Sequence, residues 1–174
     1  MPEGLKLDAP RLEDGSAMWR IARDSRVLDL NSSYSYLLWC RDFSATSVVA
    51  RDGDGGPVGF ITGYLRPEQP GTLLVWQVAV DHSQRGRGLA GAMLDGLFAR
   101  VAEQSGADRV ETTVTPDNAP SNRLFTSFAE RHGAAAEREV LFDGEVFPES
   151  GHEPEVLYRI GPLTPEPAPG AAQR

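Results

Sequence analysis

A short segment rich in glycine and arginine, from Arg85 to Ala90, carries the clearest chemical signal in the sequence; it reads Arg-Gly-Arg-Gly-Leu-Ala. It follows an apolar, β-branched run, Leu73–Val80, and it opens a segment whose apolar residues recur at helical spacing. Glycines let consecutive backbone N–H groups point into one concavity, and a helix N-terminus adds partial positive charge there. The order strand, glycine loop, helix therefore predicts a site that binds a phosphate or pyrophosphate.

The spacing within this loop argues against two common nucleotide sites. A Walker loop ends in Lys-Ser or Lys-Thr, and the loop here has neither pair. The dinucleotide fingerprint Gly-x-Gly-x-x-Gly is also incomplete, because Ala90 and Gly91 stand at the wrong spacing after Gly88. The loop matches instead the pattern Arg/Gln-x-x-Gly-x-Gly/Ala.

This pattern, together with the strand Val78–Val80 before it, resembles the pyrophosphate loop of the GCN5-related N-acetyltransferases. A second segment, Val114–Phe125, resembles the second coenzyme-binding segment of that superfamily, in which an Asn and polar helix residues meet the pantetheine and phosphate arm. Asn118 is also explained as a turn and capping residue, but two segments in the right order favour coenzyme binding. The resemblance implies acetyl-coenzyme A as cosubstrate, no metal, and the following coenzyme-binding residues: Val78, Val80, Arg85, Gly86, Arg87, Gly88, Leu89, Ala90, Asn118 and Asn122.

Four strings lie largely outside these motifs: Leu28–Tyr36, Val75–Val80, Glu111–Pro116 and His152–Leu163. They resemble one member family, the L-2,4-diaminobutyrate acetyltransferases of ectoine biosynthesis. The resemblance runs from Leu28 to Leu163. It implies direct transfer of acetyl, in a ternary complex, from acetyl-coenzyme A to the 4-amino group of L-2,4-diaminobutyrate, and a role in osmoadaptation. The product would be N4-acetyl-L-2,4-diaminobutyrate. The residues that the resemblance assigns to the substrate are Asp29, Tyr34, Trp76, His152 and Glu155.

Acetyl transfer requires a neutral amine. A free alkyl amine has a pKa near ~10 and is therefore almost entirely protonated at neutral pH. The site must therefore take a proton from the amine or accept its small neutral fraction. We expect Glu155 or His152, acting through water, to be the catalytic base. A backbone N–H of Val78–Val80 can stabilise the tetrahedral intermediate. No covalent enzyme intermediate is needed, and Cys40 is interpreted as a small buried apolar residue.

Each predicted substrate residue also has a purely structural explanation. Asp29 precedes a predicted helix and can cap it. Tyr34 at helical spacing and Trp76 on a strand are typical of a packed core, and strict alternation would place Trp76 and Val78 on one face of the strand. His152 and Glu155 lie in a polar stretch, where charged residues at the surface are common.

One position departs from the superfamily pattern. Many of these acetyltransferases have a Tyr where Phe125 stands, and that Tyr serves as acid for the departing thiolate. Phenylalanine cannot donate a proton, so the proton must come from solvent or another group, or the thiolate leaves unassisted. The sequence also leaves open the cationic partner of the substrate carboxylate, for which Arg41 and Arg123 are both available.

The elements that position these residues follow from the spacing of apolar residues. The predicted order is β-α-α-β-β-β-α-β-α-β-β, which indicates an α/β (α+β) fold. The resemblance implies the acetyltransferase fold, a mixed, mostly antiparallel sheet of about six or seven strands with flanking helices. The predicted strands are Leu5–Arg11, Thr46–Arg51, Val58–Leu65, Leu73–Val80, Arg109–Val114, Glu139–Phe142 and Val156–Ile160, and the predicted helices are Gly15–Arg23 after an Asp14 cap, Ser33–Arg41, a segment from the glycine loop to Ser105, and Ser121–His132.

Composition indicates one domain. The 174 residues, 40% hydrophobic and 24% charged, suffice for one core. We expect residues 1–163 to form a single N-acetyltransferase domain and 164–174 to be a disordered tail, since the tail has no apolar side chain larger than Ala or Pro. The net charge of −8 argues against a nucleic-acid partner and suits a cationic substrate, although it is also explained by solubility alone.

The sequence predicts no membrane partner and a cytoplasmic location, because it has neither a long apolar run nor a signal-peptide pattern. It leaves the oligomeric state open, a homodimer included, as well as the kinetic order. Two other functions also stay open: acetylation of another amine, such as a polyamine, an aminoglycoside or a protein lysine, and non-catalytic sensing of coenzyme A. Turnover of a panel of amines would separate these alternatives.

Overall fold

The computed structural model describes residues 1–26 and 28–164, so the predicted tail, from position 165 onward, lies outside the described residues. Within these ranges the predicted order of elements is confirmed. No helix of this part of the chain is both long and apolar enough to cross a bilayer. The strands are β1 Lys6–Asp8, β2 Val48–Arg51, β3 Pro57–Arg66, β4 Gln69–Val80, β5 Arg109–Val114, β6 Ala136–Phe142 and β7 Glu155–Ile160, and the helices are α1 Gly15–Ser25, α2 Ser33–Asp42, α3 Leu89–Ser105 and α4 Ala119–Arg131.

The sheet has seven strands in the order β1-β2-β3-β4-β5-β7-β6. Its one parallel pair is β4 with β5, and that pairing ends where Leu74 lies beside Glu111. Both strands continue beyond this point without pairing to each other, and Thr112 Oγ1 donates to the Val75 carbonyl oxygen at 3.0 Å where they separate. The two strands therefore diverge and open a gap in the middle of the sheet. The expected mixed, mostly antiparallel fold is confirmed.

A β-bulge interrupts β4 at Trp76, which lies outside the register that pairs β4 with β3. A bulge places two neighbouring residues on one face of a strand and shifts the alternation by one. Trp76 therefore faces α2, where its ring stacks on Trp39, whereas Val78 packs into the core beneath α3. The expectation that Trp76 and Val78 share a face is wrong for this reason.

Apolar cores lie on both faces of the sheet. α3 and α4 cover one face with side chains that include Leu94, Phe98 and Phe128. α1 and α2 cover the other face, where Cys40 is 4% exposed. Burial raises the pKa of the Cys40 thiol to about 11, so the interpretation of Cys40 as a small apolar residue is confirmed.

Asp14 does not act as the predicted side-chain cap of α1, although it holds the cap position. Its carboxylate accepts hydrogen bonds from Arg51 of β2 at 2.7 and 2.8 Å and from the Arg11 N–H at 2.7 Å. Burial raises the pKa of Asp14, but the Arg51 and Arg11 hydrogen bonds and the Arg51 charge outweigh it and lower the pKa overall. The capping prediction fails because a distant strand supplies a stronger partner, which ties α1 to β2.

Candidate active site

Two adjoining cavities open at the gap between β4 and β5. One has a volume of about 460 Å³ and lies against the glycine loop, and the other has a volume of about 420 Å³ and lies towards β7. They share Leu28, Val78, Asn118 and Ser121 in their linings. A molecule bound in one cavity can therefore reach a molecule bound in the other.

The first cavity is built by the glycine loop. Gly86 and Gly88 have φ angles of +74° and +73°, which L side chains rarely adopt, and Gly88 is the N-cap residue of α3. This conformation brings the N-terminus of α3, with its unpaired N–H groups and partial positive charge, to the cavity wall. Most of the predicted coenzyme residues line this cavity: Val78, Val80, Arg85, Gly86, Gly88, Leu89, Ala90 and Asn118.

Arg87 and Asn122, also predicted to bind the coenzyme, lie outside the described lining of this cavity. The Arg87 guanidinium hydrogen-bonds to the Gln84 side chain and donates to the Glu3 carbonyl oxygen at 3.3 Å. The Asn122 amide is turned towards the turn that follows β5, where it donates to the Thr115 carbonyl oxygen at 3.2 Å. Contacts of these two residues with a coenzyme stay predictions.

Asn118 caps a helix, as one explanation predicted, and it lies where the resemblance would place a coenzyme-binding residue. Its Oδ1 accepts from the Ser121 N–H at 3.2 Å and so caps α4, and the residue lines both cavities. Sequence reasoning missed Ser121 itself, which lines both cavities too. The signal was present, because Ser121 lies in the first turn of the helix that follows Asn118.

The second cavity brings together four of the five residues predicted to bind the substrate. They come from three separate parts of the chain: Asp29 from the loop before α2, Trp76 from β4, and His152 and Glu155 from the segment that leads into β7. Tyr34 is not with them. It lies on the first turn of α2, is 65% exposed, and is outside the described linings of both cavities.

The second cavity is acidic. Its described lining contains four carboxylates, those of Asp29, Asp117, Glu153 and Glu155, and no Lys or Arg. Sequence reasoning missed Asp117 and Glu153, which adjoin residues that it singled out. Such a lining favours a cationic guest. Over the described ranges, no group of three or more His, Cys, Asp or Glu residues is placed to hold a metal ion.

The structural explanations for Asp29 and Trp76 do not hold. Ser32, not Asp29, caps α2, since its side chain accepts from the Ser35 N–H at 3.4 Å. Trp76 is 42% exposed, and its ring stacks on Trp39 with a centroid separation of 5.0 Å, so it is not a packed core residue. Both residues line the acidic cavity, where they can face a substrate.

The His152 ring is fixed by two contacts. It stacks on Phe147 with ring centroids 3.7 Å apart, and its Nδ1 lies 2.6 Å from the Glu153 carbonyl oxygen. Because a carbonyl oxygen only accepts, Nδ1 must carry the hydrogen, and Nε2 holds the lone pair of the neutral ring. This tautomer leaves Nε2 as the nitrogen that can take up a proton.

Phe125, which stands where many acetyltransferases have Tyr, is buried and lines the second cavity. Among the described lining residues of both cavities there is no Tyr and no Cys. The ring of Tyr158 lies 6.3 Å from the ring of Phe125, but the Tyr158 hydroxyl donates to Asn122 of α4. The described walls of these cavities therefore contain no tyrosine or cysteine that could protonate the departing thiolate.

The two arginines considered for the substrate carboxylate lie elsewhere. Arg41 is exposed and pairs with Asp42 at 2.6 Å, outside the described lining of both cavities. Arg123 lines the first cavity, towards the predicted coenzyme site, and not the second. Neutral polar residues, Thr113 of β5 among them, line the acidic cavity, whereas the Thr115 hydroxyl donates to Asp117 Oδ1 at 2.6 Å.

Comparison with known proteins agrees with this geometry. Residues 15–129 match the model of the acetyltransferase (GNAT) family. L-2,4-diaminobutyric acid acetyltransferases from Streptomyces coelicolor and Streptomyces avermitilis are 71% and 67% identical to the chain. The alignments cover 92% of this chain and 94% of the relative for the first, and 94% and 92% for the second.

Solved structures give the same result. The diaminobutyrate acetyltransferase EctA from Paenibacillus lautus, in complex with L-2,4-diaminobutyric acid and coenzyme A, superposes with a TM-score of 0.86 at 40% identity, over 93% of this chain and 97% of that one. Ard1 from Thermoplasma volcanium, at 20% identity and a TM-score of 0.71 over 90% of this chain and 97% of that one, shares the fold. The chain therefore belongs to the GNAT acetyltransferase family and, within it, to the L-2,4-diaminobutyric acid acetyltransferases.

Proposed function

We propose that this protein transfers the acetyl group of acetyl-coenzyme A to the 4-amino group of L-2,4-diaminobutyrate, giving N4-acetyl-L-2,4-diaminobutyrate in ectoine biosynthesis. The observation that carries the proposal is the acidic cavity beside the glycine loop, because it suits an amine next to a phosphate-bearing acyl donor. The names of the relatives, and the substrate and coenzyme bound in the Paenibacillus lautus enzyme, support the same reaction.

Acetyl transfer occurs directly between the two bound molecules. The neutral amine attacks the thioester carbon, a C–N bond forms, and the C–S bond breaks with release of the coenzyme thiolate. A backbone N–H at Val78, in the wall that both cavities share, can stabilise the charge that develops on the acetyl oxygen. Solvent returns a proton to the thiolate, since no tyrosine is among the described lining residues.

The amine proton goes to His152 or Glu155, through water. His152 offers Nε2 as acceptor because Nδ1 donates to the Glu153 carbonyl oxygen. The carboxylates of Asp29 and Glu155 hold the cationic groups of the substrate, and Trp76 forms a wall along its methylene stem. Tyr34 can contact the substrate only if the first turn of α2 moves towards the acidic cavity.

Kinetics with a panel of amines test this function. Acetyl-coenzyme A is supplied with L-2,4-diaminobutyrate, ornithine, lysine and putrescine, and NMR locates the acetyl group on the product. We expect the highest kcat/KM for diaminobutyrate and acetylation at N4, because one more methylene moves the reacting nitrogen when the α-amino end is held. Equal use of ornithine, or acetyl on the α-nitrogen, would contradict the substrate while leaving acetyl transfer in place.

The same panel decides between the alternatives. Turnover confined to a polyamine, an aminoglycoside or a lysine-containing peptide would assign the acidic cavity to another amine. Tight binding of acetyl-coenzyme A without any acetylated product would favour a sensor. The acidic lining argues for the enzyme, because a sensor of coenzyme A has no need of a second cavity that attracts cations.

We further propose that two copies of the chain form a homodimer along β6. β6 lies at the edge of the sheet, and Val140, Leu141 and Phe142 are exposed by 57%, 41% and 48%. Its outer backbone edge can pair with a second β6 through two-fold symmetry, which would cover these side chains. Light scattering of the wild type and of Leu141→Lys tests this, and a wild-type monomer would contradict it. The cytoplasmic location and the role in osmoadaptation stay predictions.

A further inference from the structure

The loop that carries Asp29 joins α1 to α2, and its described residues, Arg26 and 28–32, belong to no helix or strand. Hydrogen bonds within the loop, between Asn31 and Tyr36 of α2, and from the sheet hold it. Within the loop, the Leu28 N–H donates to Ser25 Oγ at 3.3 Å, and the Asn31 side chain reaches the Asp29 carbonyl oxygen at 3.4 Å. A shorter hydrogen bond comes from the sheet: Gln77 Nε2 of β4 donates to the same Asp29 carbonyl oxygen at 3.0 Å.

Both ends of the Gln77 amide are hydrogen-bonded. Gln77 is 5% exposed, and its Oε1 accepts from the hydroxyl of Tyr36, which is fully buried on α2, at 3.0 Å. Because the Asp29 carbonyl oxygen can only accept, the NH₂ group of Gln77 must face Asp29, and Oε1 then accepts from the Tyr36 hydroxyl. Burial raises the pKa of Tyr36, so the phenol stays protonated and remains a donor at neutral pH.

The bulge in β4 explains why a buried polar side chain lies here. It turns Trp76 and Gln77 towards the same face of the sheet, against α2. Both Trp76 and Gln77 line the acidic cavity, and Gln77 also attaches the Asp29 loop. The Gln77 N–H, displaced from the regular ladder, donates to Thr62 Oγ1 at 3.2 Å, which satisfies the backbone group that the bulge displaces.

From these contacts we propose that Gln77 is a positioning residue, which holds the Asp29 loop so that the Asp29 carboxylate faces the amine in the acidic cavity. Gln77 acts through Asp29, and Tyr36 keeps the Gln77 amide in the required orientation. The inference rests on the proposed function for the identity of the amine. It requires that loss of the Gln77 amide weaken amine binding and leave binding of acetyl-coenzyme A largely unchanged.

A double-mutant cycle tests this role with Gln77→Met, Asp29→Ala and the double variant. Met has a similar length and removes both hydrogen bonds of the amide. We expect KM for diaminobutyrate to rise about three- to tenfold in Gln77→Met, the worth of one or two buried hydrogen bonds, with kcat changed less. In the Asp29→Ala background the same substitution should add less than about twofold, because a residue that acts through Asp29 has nothing left to position.

Two further variants separate positioning from stability. Tyr36→Phe removes only the hydroxyl, which hydrogen-bonds both to the Gln77 amide and to Asn31 of the loop, and it should raise KM for diaminobutyrate in the same direction by a smaller factor. Ser47→Ala removes another fully buried hydroxyl, which accepts from the Gly63 N–H at 3.3 Å on β3, and should leave both KM values unchanged. The melting temperature of every variant is measured, and Tyr36→Phe carries the test if Gln77→Met does not fold.

Additive effects of Gln77→Met and Asp29→Ala on KM would overturn the inference, as would an equal rise in KM for acetyl-coenzyme A. If the wild type acetylates another amine instead of diaminobutyrate, the proposed function fails. The same cycle run with that amine still decides whether Gln77 acts through Asp29.

Discussion

The indole rings of Trp39 and Trp76 stack with their centroids 5.0 Å apart and their planes 26° from parallel. Trp76 forms part of the acidic cavity, whereas Trp39 lies behind it on α2. The ring of Phe43 packs on Trp39 at 4.7 Å and has no ring contact with Trp76 among the described residues. The position of the cavity wall is thus set by a helix that contributes no predicted substrate residue except Tyr34.

Loss of the Trp39 ring should loosen the selection for substrate length. In Trp39→Ala, Trp76 loses its stacking partner, which is worth about 0.5–1.5 kcal/mol, and the wall can yield to a longer stem. We expect the ratio of kcat/KM for diaminobutyrate to that for ornithine to fall roughly two- to tenfold. Steady-state kinetics with both amines measure this ratio. Phe43→Leu is the control, and an equal fall in that variant would show that general loosening of α2 is responsible.

A β-branched side chain at Gly88 should impair coenzyme binding. In Gly88→Val the added Cβ would meet no heavy atom within 4 Å, but Gly88 lines the coenzyme cavity and its backbone has φ +73°. Gly106→Val is a matched control, because Gly106 ends the same helix with φ +74°, also has open space around it, and lies outside the described lining of the cavity.

Both glycine variants should lose a similar amount of stability, about 1–2 kcal/mol for a side chain in the left-handed region. Only Gly88→Val should raise Kd for acetyl-coenzyme A, by at least about tenfold, in isothermal titration calorimetry, as expected for the loss of one well-placed contact. Unchanged affinity in Gly88→Val would show that this loop does not hold the pyrophosphate.

The Asp14–Arg51 pair should make stability depend on pH in the acid range. The pKa of folded Asp14 lies below its ordinary value, so the pair contributes fully above the unfolded pKa, near ~3.9, and less as the pH falls through the folded pKa. Asp14→Asn should lower the free energy of unfolding by about 3 kcal/mol at pH 7, since Arg51 is nearly buried, and by less at pH 3.

Urea unfolding of the wild type and Asp14→Asn from pH 3 to pH 7 measures this dependence. Asp8→Asn is the comparison, because Asp8 also pairs with Arg51, at 2.9 Å, but its side chain is 43% exposed. That variant should lose less than about 1 kcal/mol. A difference between wild type and Asp14→Asn that grows as the pH falls would contradict the assignment.

The sequence predicted the elements well because their signals are local. The strand Arg109–Val114 and the Gly106 end of α3 follow from β-branched runs and a single glycine. The order of strand, glycine loop and helix was predicted for the same reason, since these segments are contiguous, whereas contacts of the loop with a coenzyme stay a prediction.

What the sequence did not predict depends on contacts between distant segments. The bulge at Trp76 arises from the register of β4 against β3, and it reverses the face on which Trp76 lies. Asp14 has the residue type of a cap, but Arg51 takes its carboxylate across the fold. The Gln77 contact with Asp29 joins residues far apart in the chain, so no local pattern indicates it.

Substitutions of His152 and Glu155 can show which residue is the catalytic base and which binds the substrate, because loss of the base lowers kcat and loss of a binding group raises KM. His152→Gln removes the Nε2 lone pair, so if this residue is the base, kcat should fall on the order of a hundredfold or more, with KM for acetyl-coenzyme A unchanged. Glu155→Gln should then act mainly on KM for diaminobutyrate, by roughly tenfold to a hundredfold, as expected for one charge-assisted hydrogen bond.

The pH dependence of kcat/KM gives an independent readout. Without the base, the rate follows the neutral fraction of the free amine and should rise tenfold per pH unit up to the ordinary pKa of the amine, near ~10. Phe147→Leu is the control, because it removes the ring that stacks on His152 at 3.7 Å and leaves the Nδ1 hydrogen bond to Glu153 in place. A large fall in kcat in Glu155→Gln and a small one in His152→Gln would reverse the assignment, and base catalysis would then belong to Glu155.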